Sequence, residues 1–108
     1  MAVTVENSGT QAASISTEHS LHSDTDAKVF QSIVDLTNMV DDDVVEIRVY
    51  VKAASGGTKR LAFFASFKHD QGDAHCVTPP IASPYYYELT LKQTAGTGRN
   101  FDWIVLSV

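Results

Sequence analysis

The stretch from Val44 to Lys52 alternates between apolar and polar side chains. One parity is apolar and the other polar: Val45, Ile47, Val49 and Val51 against Glu46, Arg48, Tyr50 and Lys52. Because successive side chains of a strand point to opposite faces, this pattern predicts a β-strand with one buried and one solvated face. The same two-residue alternation recurs over residues 59–68, 85–93 and 100–108.

Turn signals separate these stretches. Ser55-Gly56-Gly57-Thr58 predicts a hairpin, because paired glycines tolerate the positive φ of a tight turn. Ala95-Gly96-Thr97-Gly98 predicts a second hairpin connection. A chain of 108 residues suits one domain. We therefore predict an all-β fold, a single antiparallel β-sandwich that is either jelly-roll-like or immunoglobulin-like.

The segment 27–38 is open to two interpretations. Its apolar residues lie near helical spacing, and Asp26 is a candidate N-cap. As a strand, the segment would instead turn Phe30, Val34 and Leu36 inward. Its content of β-branched residues favours the strand.

Residues 1–26 are rich in Ser, Thr, Ala, Glu and His, and their few large apolar residues stand apart: Val3, Val5, Ile15 and Leu21. Alone, such a segment buries too little to offset the ordering cost of roughly 1–2 kcal/mol per residue. We therefore predict an extended N-terminal arm over residues 1–26 and a sandwich domain over residues 27–108.

The predicted arm needs a surface that holds it, either the edge of the domain's own sheet or a neighbouring subunit. Residues 12–18 are a candidate edge strand with Ile15 as its anchor. On this interpretation, deletion of residues 1–24 leaves a folded domain and abolishes assembly.

Charge and composition exclude several functions. The net charge is −5, and the eight Lys and Arg residues are scattered, so we expect no nucleic-acid binding and no electrostatic attachment to a membrane. No apolar run approaches the roughly 20 residues that span a bilayer. Residues 1–10 have neither a positive start nor an apolar core, so we expect no secretory signal. The single cysteine, Cys76, excludes an internal disulfide, and a packed thiol is the favoured interpretation.

Two sequence clusters contain metal-ligand residue types. His19 and His22 are flanked by carboxylates, as in a zinc site, but further ligands at motif spacing are missing. The two imidazoles would share a face on a helix and lie on opposite faces of a strand. Asp41-Asp42-Asp43 lacks the ligand spacing of a calcium loop and is interpreted as a solvated turn. We predict no metal site.

The region from His69 to Cys76 is the best candidate for catalysis, since it combines histidines, aspartates and a thiol. However, His75 and Cys76 are sequence neighbours and would point apart on a strand. Gly96-Thr97-Gly98 lacks the lysine and the helix of a phosphate-binding loop. We therefore predict no catalytic residue and no cofactor.

Tyr85-Tyr86-Tyr87 is the most prominent aromatic feature. Alternation exposes either Tyr86 alone or the pair Tyr85 and Tyr87, and we favour a core position for that pair. Exposed tyrosines stack on sugar rings or anchor protein interfaces. A carbohydrate-binding module that uses these tyrosines together with Trp103 is the alternative functional hypothesis.

Two stretches carry a family resemblance, namely Leu36 to Ile47 and Leu91 to Trp103. Their turn-and-strand pattern resembles small β-sandwich virion proteins of tailed bacteriophages. The resemblance implies a structural protein of the virion, a capsid decoration (cement) protein that forms homo-oligomers, often trimers, and binds the major capsid protein or another virion protein. The candidate partner-binding residues are Val3, Val5, Ile15, Leu21 and Tyr86.

Overall fold

A computed structural model describes residues 3–108, which form nine β-strands and no helix. The strands are β1 (Thr4–Ala12), β2 (Glu18–Asp24), β3 (Lys28–Asp35), β4 (Val44–Val51), β5 (Arg60–Lys68), β6 (His75–Val77), β7 (Ile81–Ser83), β8 (Tyr87–Ala95) and β9 (Asn100–Ser107). Sheet A has the order β1-β9-β3-β6, with β7 also paired to β3, and sheet B has the order β2-β8-β4-β5. Every pairing is antiparallel, and the two sheets enclose one core. The all-β sandwich is therefore confirmed.

Strands near one end of the chain pair with strands near the other end, and this nesting continues toward the middle of the chain. β1 pairs with β9, β2 with β8, β3 with β6 and β7, and β4 with β5. The glycine-containing hairpin between β4 and β5 is confirmed. The second predicted hairpin is wrong, because β8 and β9 belong to different sheets and residues 96–99 cross between them. A short glycine turn can reverse the chain within a sheet or across the core, and its sequence does not distinguish the two.

The core lies between the alternating inner faces of the sheets. Segment 27–38 forms strand β3, so the strand interpretation is confirmed, and Phe30 and Val34 are fully buried. The ring of Phe30 stacks on that of Tyr87 with centroids 4.6 Å apart. The buried Tyr87 hydroxyl lies 2.5 Å from the Ser32 hydroxyl, which satisfies a polar group that would be costly to bury alone. The apolar parity of β4 also faces this core, where Val45, Ile47 and Val49 have no exposed surface.

An extended arm over residues 1–26 is not confirmed. β1 and β2 are outer strands of sheets A and B, so the sheets take in residues on both sides of the predicted boundary. The edge strand predicted at residues 12–18 is wrong, because residues 13–17 form the connection between β1 and β2. Main-chain pairing with β9 and β8 holds this segment, and such hydrogen bonds require no apolar pattern.

Bulges in β1 and β2 change which side chains face inward. The bulge at Leu21 places His22 opposite a core-facing position of β8, on the same side as His19. The strand-based expectation that the two imidazoles lie on opposite faces is therefore wrong. His22 Nδ1 lies 3.4 Å from Nδ2 of Asn7 in β1, and His19 Nδ1 lies 3.3 Å from Nε2 of Gln11. Polar contacts thus close this edge of the sandwich.

Asp43 joins the β3–β4 loop to the β8–β9 turn. It is 1% exposed, unlike the two exposed aspartates before it, so the solvated-turn interpretation fails for this residue. Its carboxylate accepts hydrogen bonds from the Val40 and Thr97 amides at 3.0 and 3.3 Å and from Arg99 Nε at 3.0 Å. Gly96 beside it has φ +88°, and an added Cβ there would collide with Asp43 Oδ1.

Candidate functional site

The outer face of sheet A carries an apolar patch, bordered by polar residues that include Ser8, Thr10, Gln31 and Asp102. We call this surface the apolar face, and it comprises Val3, Val5, Val29, Ile33, Val77, Ile104, Leu106 and Val108. Val5 lies opposite Leu106, and Ile33 lies between Ile104 and Val77, so the side chains adjoin across four strands. Residues opposite each other in antiparallel strands point to the same side of the sheet, which makes the patch continuous.

Several members of the apolar face are largely exposed: Val3 by 62%, Val5 by 56% and Val77 by 53%. A contiguous exposed apolar patch on a sheet is typical of an interaction surface. Polar groups end the patch on one side, where His75 and Asp35 approach to 3.7 Å. This composition resembles the apolar centre and polar rim of a protein interface.

Strand β1 borders the apolar face and is an outer strand paired only with β9 in the described chain. It runs for nine residues and contains no Lys, Arg or Pro, the residues that usually block further strand pairing. By contrast, the outer strand β5 begins with Arg60 and ends with Lys68, and β6 has only three residues. Two local hydrogen bonds cover part of the β1 edge, from the Ser8 amide to Asn7 Oδ1 and from Gln11 Nε2 to the Ala12 carbonyl.

The five predicted partner-binding residues do not form one surface. Val3 and Val5 lie together on the apolar face. Ile15 is exposed in the turn between β1 and β2. Leu21 is 8% exposed within the core, so its apolar side chain is occupied inside its own domain. Tyr86 is half-buried beside sheet B.

The outer face of sheet B has the opposite character. It contains a hollow of about 310 Å³, which we call the polar depression, lined by Glu18, Ser20, Tyr50, Lys59, Glu88 and Thr90. The volume falls within the range of about 300–1,000 Å³ that is usual for small-ligand sites. Strands β2, β8 and β4 bring these residues together, with Lys59 arriving from the residues before β5.

Glu18 forms one side of the polar depression. Its Oε2 accepts hydrogen bonds from the hydroxyls of Tyr50 and Thr90, each at 2.7 Å. Burial opposes ionisation of Glu18, but these two hydrogen bonds and the nearby charges of Arg48 and Lys59 together outweigh it and lower the pKa of the carboxyl. Burial and the hydrogen bond to Glu18 raise the pKa of Tyr50, so its hydroxyl stays protonated as a donor.

Glu88 forms the floor of the polar depression and is 6% exposed. Its Oε1 accepts hydrogen bonds from Lys59 Nζ at 2.5 Å and from the Tyr86 hydroxyl at 3.0 Å. Burial again opposes ionisation, but the hydrogen bonds from Lys59, Ser20 and Tyr86 and the charge of Lys59 together outweigh it and lower the pKa of Glu88. Both carboxylates are therefore anionic at neutral pH. A general acid with a raised pKa, which glycoside hydrolysis requires, is not provided by this pair.

The aromatic strip expected from the tyrosine triplet does not form. Tyr87 is fully buried, while Tyr85 is 42% exposed, so the predicted core position is right for Tyr87 alone. Trp103 packs against the core from sheet A, on the other side of the sandwich from Tyr86. Tyr50 is the aromatic residue that lines the polar depression, and the alternation along β4 predicts only that it lies on the solvated face of its strand.

The polar depression was missed because its residues come from separate strands. Glu88 and Thr90 lie on the polar parity of β8, and Tyr50 lies on that of β4. For each strand taken alone, this parity predicts which side chains lie on the outer face of the sheet. Only the order β2-β8-β4 brings Glu18 beside them, and that order follows from packing rather than from local pattern.

The region from His69 to Cys76 does not converge on a cleft. His75 faces outward opposite Asp35, whereas Cys76 faces inward and is 4% exposed, as expected for neighbours on a strand. Burial raises the pKa of the Cys76 thiol to about 11, which confirms the packed-thiol interpretation. Within residues 3–108, no group of three or more His, Cys, Asp or Glu side chains is arranged to hold a metal ion.

Comparisons with family models, with curated proteins and with solved structures give no match to this chain. None of the described residues belongs to a helix long and apolar enough to cross a membrane.

Proposed function

We propose that this protein is a non-enzymatic assembly protein that forms a homo-oligomer and acts in a virion as a capsid decoration (cement) protein. Its partner there would be the major capsid protein or another virion protein. The observation that carries the proposal is the nine-residue outer strand β1, which contains no Lys, Arg or Pro and borders the apolar face. A long outer strand without blocking residues is a template for pairing with another chain.

The occupant we assign to this edge is β1 of a second copy, paired antiparallel about a two-fold axis. The only charged residue of β1 is Glu6, which is paired with Lys28 at 3.0 Å and with the Ser107 hydroxyl. Two β1 strands therefore meet without repulsion between unpaired charges. Pairing would continue sheet A across both copies and join their apolar faces into one surface, large enough to contact a lattice.

The pairing of strands from the chain ends inward supports a jelly roll over an immunoglobulin-like sandwich. Jelly rolls occur in viral capsid and lectin domains, which is compatible with a virion role. This support is an analogy at the level of the fold, since one fold hosts many functions.

The oligomer proposed here differs from the arm-mediated assembly expected from the sequence. A two-fold β1 contact joins two copies, whereas the family resemblance implies homo-oligomers that are often trimers. Light scattering coupled to size-exclusion chromatography distinguishes a dimer from a trimer, because each copy of the chain adds 11.8 kDa to the mass. We expect the mass of a dimer.

The decisive variant is Val5→Lys, which places a charge on the apolar face at the β1 edge. Since Val5 is exposed, the variant should fold normally and elute as a monomer. The matched control is Val40→Lys, because Val40 is 44% exposed in a loop outside the apolar face. A monomeric wild-type protein, or a Val5→Lys protein that stays dimeric, would contradict the β1 contact.

The virion role has its own test. Proteomic analysis of purified particles of a phage that encodes the chain should detect it at a copy number comparable to that of the capsid protein. Its absence from intact particles, with detection only in lysed cells, would exclude the decoration role.

A further inference from the structure

We infer that the polar depression binds neutral glycans. It lies on the outer face of sheet B, whereas β1 and the apolar face belong to sheet A, so its lining contains no residue of the proposed oligomer contact.

The charges around the polar depression select the ligand class. Glu18 and Glu88 are anionic, and Lys59 bonds directly to Glu88. The Arg48 guanidinium, which lowers the pKa of Glu18, is paired with Glu46 at 2.8 Å. The two carboxylates disfavour a phosphate or sulfate ligand, and Lys59, the one cation in the lining, is already bonded to Glu88. A ligand that has many hydroxyls and no net charge is not repelled by the carboxylates and does not need a free cation.

The hydrogen-bonding groups also match vicinal hydroxyls. Glu18 directs both of its hydrogen bonds through Oε2, and Oε1 accepts none from the described residues. Lys59 has a side chain that is 47% exposed and retains further N–H donors beyond its bond to Glu88. Ser20 adds a hydroxyl to the lining. An acceptor, a donor and a hydroxyl around one hollow suit a sugar, whose hydroxyls both donate and accept.

The Tyr50 ring provides the apolar component of the lining, and Tyr86, which bonds to Glu88 from outside the lining, adds a second ring. Lys59 Nζ lies 4.9 Å from the centroid of the Tyr50 ring, and Lys52 Nζ lies 4.9 Å from that of Tyr86. One face of each ring is therefore covered by an ammonium group rather than by packed apolar side chains. The C–H face of a pyranose can stack on an aromatic ring of this kind.

The floor is rigid before any ligand binds. Glu88 and Thr90 point outward from the central strand β8, yet they are only 6% and 3% exposed. Their neighbours hold them by the hydrogen bonds described above, so little side-chain entropy remains to be lost on binding.

Affinity electrophoresis tests the inference with four neutral probes: dextran, laminarin, galactomannan and arabinoxylan. We expect at least one of them to retard the wild-type protein. Glu18→Gln removes the carboxylate charge, and Tyr50→Phe removes the hydroxyl while keeping the ring. Each should weaken the affinity about tenfold, the effect of losing one charge-assisted hydrogen bond. The matched control is Ser66→Ala, because Ser66 is exposed opposite Glu46 on the same sheet face and lies outside the lining of the depression, so this variant should bind normally.

The inference is overturned if none of the four polymers retards the protein, or if both variants bind as well as the wild type. Retardation by heparin without retardation by a neutral polymer also overturns it, because an anion would then be the ligand. Thermal melting must show that Glu18→Gln and Tyr50→Phe remain folded. Val5→Lys should keep full glycan binding, so failure of the oligomer and failure of the glycan site are separately observable.

Discussion

Replacement of Asp43 by alanine should destabilise the fold far more than its position in an aspartate triplet suggests. Its carboxylate connects the β3–β4 loop to the β8–β9 turn through two backbone amides and the Arg99 guanidinium. Asp43→Ala removes all three acceptor contacts and leaves the Val40 and Thr97 amides without this partner.

The size of the effect follows from burial and distances. Breaking a buried ion pair by removing one partner costs about 3–5 kcal/mol. Arg99 is 31% exposed and regains water, so we expect the lower limit, about 3 kcal/mol. With an unfolding entropy of about 2.1 cal/mol/K per residue, this lowers the Tm of a chain this long by about 13 °C.

The contribution of Asp43 also depends on pH. Burial opposes its ionisation, but the hydrogen bonds from the Val40 amide, Arg99 and the Thr97 amide, with the charge of Arg99, together outweigh that effect and hold the pKa of Asp43 below its ordinary value of 3.8. A lowered pKa in the folded state stabilises the protein above the ordinary pKa, and this stabilisation is lost as the pH falls through the folded value. The Tm difference between the wild type and Asp43→Asn should therefore be largest near neutral pH and shrink in acid.

Melting curves followed by circular dichroism provide the measurement. Asp41→Ala is the matched control, since Asp41 is exposed in the same triplet and should change stability by no more than about 0.5 kcal/mol. Equal Tm values for Asp43→Ala and Asp41→Ala would refute the assigned role. A Tm difference for Asp43→Asn that stays constant into acid would refute the pH argument.

Two further substitutions or deletions test the fold. Gly96→Ala should lower the Tm, because residue 96 has φ +88° and its Cβ would collide with the Asp43 carboxylate. Gly56→Ala is the control, since an added Cβ there meets open space, and it should melt within a few degrees of the wild type. Deletion of residues 1–24 should abolish the cooperative thermal transition, because it removes β1 and β2 and exposes the strands they cover; a truncated chain that melts like the full protein would contradict the observed pairing.

The sequence predicted where individual strands lie better than it predicted which strands pair with each other. Strict alternation located β4 and its buried face, because side-chain direction in a strand is a local property. The extended arm predicted for the N-terminal segment is not confirmed, for the converse reason. β1 and β2 are ordered mainly by main-chain hydrogen bonds to distant strands, and those leave almost no mark on side-chain composition.

The candidate sites divide in the same way. Val3 and Val5 were identified as isolated apolar residues, but their membership in the apolar face depends on β9 and β3 lying next to β1. Leu21 has the same chemical character and lies in the core instead, because a bulge and the neighbouring strand β8 direct it there.

By itself, the amino-acid order determined that the chain is built from β-strands with one buried and one solvated face, since alternation acts over a few residues. It also determined the lack of a basic surface and of an internal disulfide. Only the tertiary structure decided that the first strand pairs with the last, that Asp43 is buried, and that Glu18 meets Glu88 and Tyr50 on one surface. These features require residues far apart in the chain to come together, and packing of the whole core selects that arrangement.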